Sequence, residues 1–282
     1  MHAEMKNMKR WWSSNRWKVA LLLWGAGMAA VVLLLLCRGC GDNEAAHKTM
    51  SPARVTGLQE VIASAHLSNE RIAYSGFIVN FNASLHLPNS VSYILTRERM
   101  QGTAERSDHF EADPTVAGCA QPDDYVLSGY ERGHMAPAHD MAWSEDAMRE
   151  SFLMTNVCPQ DKRLNQGGWA KLEEKVREWT VRDSVLVVVT GPVPDTDMER
   201  LPTSGVAVPR RFYKVIIAPC ARPVRCAAFV YPNGSSGGNL KDYAVTVDDV
   251  ERLTGLDFFS SLPDDIENQA EARCNLLQWT NR

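Results

Sequence analysis

The run from Val19 to Leu36 contains 18 residues without a charged side chain, and it restricts what the N-terminal part of the chain can form. A helix of this length approaches the ~30 Å hydrocarbon core of a bilayer and exceeds the about 7–15 apolar residues of a typical signal peptide. Five basic residues precede the run and only Arg38 follows closely, which predicts a cytoplasmic N-terminus. We predict a basic cytoplasmic segment over 1–18 and a single-pass signal anchor over 19–36. A cleaved signal peptide and lipidation at Cys37 are the alternatives.

The remainder of the chain has the length and patterning of one large domain. Residues 37–56 are polar and contain Pro52, which is typical of a linker, and residues 57–282 can bury a sizeable core. Strands and helices do not alternate regularly, which favours the α+β class. β-Branched and aromatic residues predict strands over 74–80, 90–96, 184–190, 211–218 and 226–231, and a short strand over 125–127. Helices are predicted over 144–152, 169–180 and 248–253.

Charge excludes binding of a polyanion by bulk attraction. Residues 41–282 carry 24 basic and 33 acidic side chains, a net charge of −9. A polyanionic ligand would therefore need a local basic patch and a bound cation. The candidates for that patch are Arg97, Arg99, Arg106, Arg132, Lys162, Arg163, Arg210 and Arg211.

Cysteine usage leaves one pairing open. Cys220 and Cys226 flank a plausible turn between two predicted strands and could pair across a hairpin if the domain is exported.

Chemistry-bearing residues concentrate between Tyr130 and Glu173, where histidine, arginine, asparagine and glutamate occur close together. His134 follows Gly133, which lets the backbone turn closely because it has no side chain to clash. A neutral imidazole is the natural general base near pH 7. A single histidine is more often a packed or surface residue, but His134 has these neighbours.

Asn165 and Glu173 are eight residues apart, and a helix would return them to within ~80° of one direction. Such oxygen donors suit Mg²⁺, which takes few protein ligands and keeps several waters. The alternative is that Asn165 caps the helix and Glu173 lies on a solvated face. Zinc is disfavoured, because the spacing of His134, His139 and Cys158 matches no common zinc pattern.

Three segments together resemble the DNA/RNA non-specific endonucleases, the ββα-metal (His-Me finger) nucleases that include the endonuclease G type. They are Arg132–Ala138, Thr155–Gln160 and Asn165–Trp169 with Leu172-Glu173. Further similar segments lie upstream and downstream, so the resemblance covers roughly residues 57 to 275 in order. They are 90–96, 106–113, 188–192, 208–215 and 254–259.

The resemblance implies an endonuclease domain over 57–282 with a central mixed or antiparallel sheet, cleaving DNA and RNA internally to leave 5′-phosphates. It implies that His134 activates water, that Asn165 binds Mg²⁺ (with Mn²⁺ as a substitute), and that Glu173 holds metal-bound waters. Arg132 and Arg106 would stabilise charge on the phosphate, Asn156 would orient the site, and Arg163 would contribute to substrate binding. A homodimer is a further expectation from the family alone.

One position departs from the family's pattern. Glu131 stands where these nucleases usually have aspartate, and its extra methylene could shift the groups around His134.

From the sequence as a whole we expect a membrane-anchored, Mg²⁺-dependent, sugar-non-specific endonuclease whose domain lies on the exported side, the periplasm if the source is bacterial. The alternatives are a catalytically weakened nucleic-acid-binding module of the same fold, supported only by Glu131, and a phosphodiesterase acting on another ester.

Overall fold

A seven-stranded antiparallel sheet forms the centre of the molecule in the computed structural model, which describes residues 52–234 and 237–280. Its strand order is β12-β11-β10-β7-β4-β3-β2. The strands are β1 (Ile62–Ala63), β2 (Glu70–Ala73), β3 (Phe77–Asn82), β4 (Leu87–Thr96), β5 (Glu131–His134), β6 (Val157–Gln160), β7 (Val185–Pro192), β8 (Glu199–Arg200), β9 (Ala207–Val208), β10 (Arg211–Ala218), β11 (Arg225–Pro232), β12 (Ala244–Val245) and β13 (Leu256–Asp257). The helices are α1 (Pro52–Gly57), α2 (Glu145–Ser151), α3 (Ala170–Asp183), α4 (Val247–Thr254), α5 (Asp264–Glu271) and α6 (Leu277–Thr280).

The central strands are hydrophobic because both faces of the sheet are covered. In β7 every residue from Leu186 to Pro192 is buried, and in β10 every residue after Arg211 is buried. Continuous apolar runs of this kind mark strands enclosed on two sides. The α+β prediction with a central antiparallel sheet is confirmed, and the five longer predicted strands and three predicted helices occur within three residues of the expected ends.

The short strand predicted over 125–127 is wrong. Pro122–Tyr125 form a 3₁₀ turn in which the Asp124 side chain accepts the backbone N–H of Gln121. Leu127 has a φ of 57°, which lies outside the range of a β-strand, and its side chain is fully exposed. Hydrophobic composition suggested a strand, but the proline and the capping carboxylate favour a turn.

Residues 37–51 of the predicted linker lie outside the described residues, and the last part of it, 52–56, falls within α1. Val55 and Leu58 are one helical turn apart and both are buried, which ties α1 to the compact unit that starts at Pro52. The segment 1–18 and the anchor 19–36 lie outside the described residues. Within the described residues, none of the helices has both the length and the apolar character needed to cross a bilayer.

A pair of short strands positions two of the residues singled out from the sequence, Arg132 and His134. β5 pairs antiparallel with β6, so that Gly133 faces Cys158 and His134 faces Val157. A Cβ on Gly133 would overlap with Oε1 of the buried Gln160 side chain. Glycine is therefore required here for close packing between the two strands rather than for a turn.

The cysteine pair considered across the β10–β11 hairpin is not formed. Cys226 is a buried free thiol whose backbone partner across the hairpin is Ile217. Burial raises the pKa of the Cys226 thiol well above its usual range. Its side chain thus behaves as a small apolar core residue.

Candidate active site

A cleft of about 520 Å³ lies beside β5 and gathers five of the side chains selected from the sequence. They come from three places in the chain: Arg106 from the irregular segment before β5, Arg132 and His134 from β5, and Asn165 and Glu173 from the segment after β6. The resemblance implied a shared site for these residues, and the structure brings them together.

His134 stands between two aromatic rings at the cleft. Its ring centroid is 5.1 Å from that of Phe110 and 4.8 Å from that of Phe152. Nε2 is buried and has no hydrogen-bond partner, so Nδ1 is the nitrogen that can face the cleft. Burial, together with the positive charge of Arg106, lowers the pKa of His134 to about 3. The imidazole is therefore neutral at physiological pH and is able to accept a proton.

The two arginines are held by the same aromatic rings. The Arg132 guanidinium carbon lies 4.5 Å from the Phe110 ring centroid, and that of Arg106 lies 5.0 Å from the Phe152 centroid. Arg106 also pairs with the exposed Asp108, whereas Arg132 makes no ion pair with any described residue. Stacking on an aromatic face orients a guanidinium while leaving its N–H groups available to an anion.

Asn156 is behind the cleft rather than in it. Its Oδ1 accepts the backbone N–H of Ala136, and its Nδ2 donates to the carbonyls of Ala136 and Ser151. The side chain is completely buried and its hydrogen-bonding groups are occupied. Asn156 consequently positions the backbone that follows His134, and it does not touch a ligand in the cleft.

Asn165 is oriented by Glu131. Nδ2 of Asn165 donates to Oε2 of Glu131 at 2.8 Å, and Nε2 of Gln166 donates to Oε1 at 2.7 Å. The amide nitrogen of Asn165 is thereby fixed toward Glu131, and its Oδ1 remains as a free acceptor beside the cleft. The side chain of Glu131 contacts Asn165 and Gln166. These contacts do not support the expectation that its extra methylene shifts the groups around His134.

Asn165 and Glu173 do not share one regular helix, contrary to expectation. Leu164–Trp169 form a π-helical turn with a kink at Gly167, and α3 begins only at Ala170. Two consecutive glycines interrupt the helix, and such π turns are frequent at functional sites. Asn165 does not cap α3, and both side chains still line the cleft.

Glu173 borders a buried group of charges. One helical turn later Arg177 pairs with the fully buried Asp140 at 3.2 Å, and Tyr93 donates to the same carboxylate at 3.1 Å. Burial raises the pKa of Glu173, while Lys214 and Arg177 oppose that rise. Glu173 itself makes no hydrogen bond or ion pair with a described residue, so its carboxylate is available to a ligand in the cleft.

The side chains that face the cleft fit a hard divalent cation. Asn165 offers a free amide oxygen and Glu173 a partly covered carboxylate without a protein partner. Oxygen donors of these two kinds, with room left for water, match the preference of Mg²⁺ or Mn²⁺. Cys158 is buried in β6 and does not line the cleft, which separates it from His134 and His139 as a zinc ligand set.

The basic patch expected from the sequence is divided. Only Arg106 and Arg132 of that set line the cleft. Arg163 is exposed outside it and is paired with Asp161, with Nη2 and Oδ2 2.8 Å apart. Arg97 and Arg99 donate to backbone carbonyls of Val181 and Ile94.

Sequence reasoning missed Arg177 and Phe110 as residues of the cleft. Arg177 lies four positions after Glu173, a spacing that places both on one helix face and could have identified it. Phe110 lies beside His134 next to an isolated β-bridge between Glu111 and Leu153. No local sequence pattern predicts such a bridge.

This geometry agrees with the comparisons to known proteins. The profile of the DNA/RNA non-specific endonuclease family matches residues 55–265. The mitochondrial nuclease EXOG of Danio rerio is 34% identical over 256 residues, covering 84% of this chain and 72% of that protein. Human EXOG is 34% identical over 232 residues, covering 74% of this chain and 63% of that protein. The nuclease of Serratia marcescens is 32% identical over 222 residues, covering 74% of this chain and 82% of that protein.

A solved structure shares the fold. A chain from the crystal structure of the EndoG/EndoGI complex superposes with a TM-score of 0.67 at 27% identity, covering 75% of this chain and 94% of that one. The chain belongs to the DNA/RNA non-specific endonuclease family. The predicted family is therefore confirmed, and so is the prediction that the protein is a nuclease, that is, a phosphodiester hydrolase.

Glu131→Ala is expected to weaken the site by releasing the Asn165 amide. Loss of a group that orients a metal ligand typically costs about 10–100-fold in metal affinity or activity. Cleavage rates measured across a Mg²⁺ titration should show that loss at low Mg²⁺ and partial recovery at high Mg²⁺. Glu178→Ala, an exposed acid on α3, is the matched control. Equal rates for Glu131→Ala and the parent protein at limiting Mg²⁺ would contradict the role given to Glu131.

Proposed function

We propose that this protein is a Mg²⁺-dependent, sugar-non-specific endonuclease that hydrolyses phosphodiester bonds in DNA and RNA. The observation that carries the proposal is the shared cleft of a neutral His134, an unpaired Arg132 and the oxygen donors of Asn165 and Glu173. Family membership supports nuclease chemistry, and the arrangement of these groups supports the assignment of roles.

His134 is assigned as the general base. With the ring proton on the buried Nε2, Nδ1 presents its lone pair to a water in the cleft. Nδ1 accepts a proton from that water as its oxygen bonds to phosphorus and the bond from phosphorus to the leaving oxygen breaks. The 3′ oxygen leaves with the electron pair of that bond and takes a proton from solvent water, and a 5′-phosphate remains, as the family resemblance implies.

Asn165 and Glu173 are assigned to the metal. Oδ1 of Asn165 would hold it directly, and the Glu173 carboxylate would accept hydrogen bonds from waters around it. When bound, the cation would neutralise charge on the phosphate and leaving oxygens, and Mn²⁺ would substitute for Mg²⁺. Glu131 holds the amide of Asn165 so that its oxygen faces the cleft.

Arg132 and Arg106 are assigned to the phosphate. Their guanidiniums sit over Phe110 and Phe152 on either side of His134, where they can donate to nonbridging oxygens. Phosphate contacts carry no base identity, which fits cleavage without sequence preference. Arg163 lies outside the cleft and would serve only a longer stretch of bound strand.

The test is cleavage of supercoiled plasmid and of structured RNA by the purified full-length protein with Mg²⁺, Mn²⁺ or EDTA. We expect nicking and RNA degradation with either metal and none with EDTA. Binding without cleavage in any divalent metal would instead support a catalytically weakened binding module. The hydrogen bonds from Asn165 and Gln166 to Glu131 argue against that alternative.

His134 should remain uncharged far below the usual pH range of histidine. Because the folded pKa is lowered from 6.5 to about 3, the ring takes up its proton only near pH 3, while the unfolded chain takes it up near 6.5. Stability therefore decreases as the pH falls from about 6.5 toward 3. NMR titration of the metal-free protein should show no shift of the His134 ring signals from pH 8 to 5. A His134 midpoint near 6.5 would contradict the burial of this ring.

We also propose that residues 19–36 anchor the protein in a membrane with the N-terminus cytoplasmic and the nuclease domain exported. The uncharged run and the basic residues before it support this. Resistance to alkaline extraction, with the nuclease domain digested by protease added from the exported side, is the expected result. Release from the membrane by alkali would refute anchoring.

A homodimer is proposed from the family alone. Sedimentation equilibrium should give twice the 31.4 kDa mass of the chain, and a monomer at micromolar concentration would refute it.

A further inference from the structure

Three carboxylates converge at a place outside the cleft. Asp248 and Glu251 lie on one face of α4, and Glu271 is the last residue of α5. One carboxylate oxygen from each side chain lies within 4.8 Å of the other two. None of the three lines the cleft that holds His134.

Glu271 is buried without a hydrogen-bond donor. Its side chain belongs to a residue that is only 5% exposed, and its Oε1 has no hydrogen-bond partner. Glu251 uses Oε1 to accept the backbone N–H of Phe258 at 2.9 Å, which leaves its second oxygen unengaged. Burying a carboxylate oxygen without a hydrogen-bond donor costs free energy of folding. Among the described residues, none supplies a donor or a positive charge to this oxygen.

The charged groups around Glu271 are acidic, which increases the need for a positive charge at this place. Burial raises the pKa of Glu271 to about 9, and the charged neighbours that add to the effect are Glu251, Glu267, Asp248 and Asp257, all acidic. In the described part of the chain, no lysine or arginine forms an ion pair with Asp248, Glu251 or Glu271. The basic residue next to Glu251, Arg252, is instead paired with Asp249.

We propose that Asp248, Glu251 and Glu271 bind a second divalent cation, of the Ca²⁺ type, separate from the cation of the cleft. Oxygens that bind one Ca²⁺ at about 2.3–2.6 Å can be up to about 5 Å apart, which accommodates the observed spacing. The donors are all carboxylate oxygens, which selects a hard cation over zinc or copper. One ion replaces the missing donor of Glu271 and offsets the repulsion among the three side chains.

The proposed ion would stabilise the C-terminal part of the domain rather than take part in the reaction. It joins α4 to α5, and shortly after α5 the indole Nε1 of Trp279 donates to the carbonyl of Cys226 in β11 at 3.3 Å. Cation binding thus fixes the segment that packs against this strand of the central sheet.

The proposal is tested by thermal unfolding of the full-length Asn165→Ala protein after removal of metal with EDTA and titration with Ca²⁺. This variant lacks the residue assigned to bind the cation of the cleft, so a response to Ca²⁺ reports on the second site. Saturating Ca²⁺ should raise Tm by roughly 5 °C. Glu271→Gln should abolish this rise, and it should not lower Tm in EDTA, because a Glu271 carboxyl with a pKa of about 9 already carries no charge there. Glu267→Gln, an acid near the cluster that is not one of the three ligands, should keep the rise.

Equilibrium dialysis with radioactive Ca²⁺ provides a second measurement. We expect one bound ion per chain in Asn165→Ala protein and none after the further change Glu271→Gln. An unchanged Tm with Ca²⁺ in Asn165→Ala protein would overturn the proposal and indicate that a proton on Glu271 satisfies the cluster. An equal Ca²⁺-dependent rise with and without Glu271→Gln would also overturn it.

Discussion

His134→Ala should reduce plasmid cleavage by about 10²–10⁴-fold at saturating Mg²⁺, because a positioned general base contributes a factor of this order. Among the described residues that line the cleft, His134 is the one histidine whose ring is flanked on both sides by aromatic rings. Its lowered pKa keeps the ring neutral at physiological pH. Initial nicking rates with Mg²⁺, measured beside circular dichroism spectra, give the result.

His66→Ala is the matched control, since His66 is exposed and does not line the cleft. We expect this variant to cleave at the parent rate. A folded His134→Ala protein that still cleaves within tenfold of the parent would assign the proton transfer to another group.

Asn165→Ala should lower cleavage at millimolar Mg²⁺ by at least about 100-fold, because we assign Asn165 as a direct ligand of the cation that neutralises the phosphate. The variant should also lose the Mg²⁺-dependent rise in Tm that arises from the cleft. The nicking rate against Mg²⁺ concentration, followed together with Tm, separates weaker metal binding from slower chemistry.

Gln166→Ala is the control for this substitution. Gln166 also donates to Glu131 but lies outside the residues that line the cleft, so its loss should change the rate by less than about tenfold. An equal loss for Gln166→Ala and Asn165→Ala would show that the glutamate contact, and not a metal bond, makes Asn165 important.

Much of the fold follows from local patterning. The strand over 211–218 is expected from its β-branched and aromatic residues and occurs at those bounds, because burial on both faces of a central strand demands such a run. The segment 125–127 has similar composition and forms no strand, because the turn that starts at Pro122 determines its backbone.

The candidate site could be assembled from the sequence only with the help of resemblance. Spacing alone predicts that Asn165 and Glu173 share one face of a helix. Both side chains do line the cleft, but a π turn separates Asn165 from the helix that carries Glu173. The part played by Glu131 could not be foreseen, because its contact with Asn165 spans 34 residues. Long-range contacts of this kind have no periodic signal in a sequence.

Arg106 lies between β4 and β5 in a segment without regular secondary structure, whereas His134, Asn165 and Glu173 lie on β5, the π turn and α3. Exposed segments with few backbone hydrogen bonds open at a lower free energy than the elements around them. Mild denaturant should therefore displace Arg106, to which we assign phosphate binding, before His134, Asn165 and Glu173 separate. Over that range the proposed cation site would stay assembled while the contact between Arg106 and the phosphate is lost, so activity would decrease before the domain unfolds.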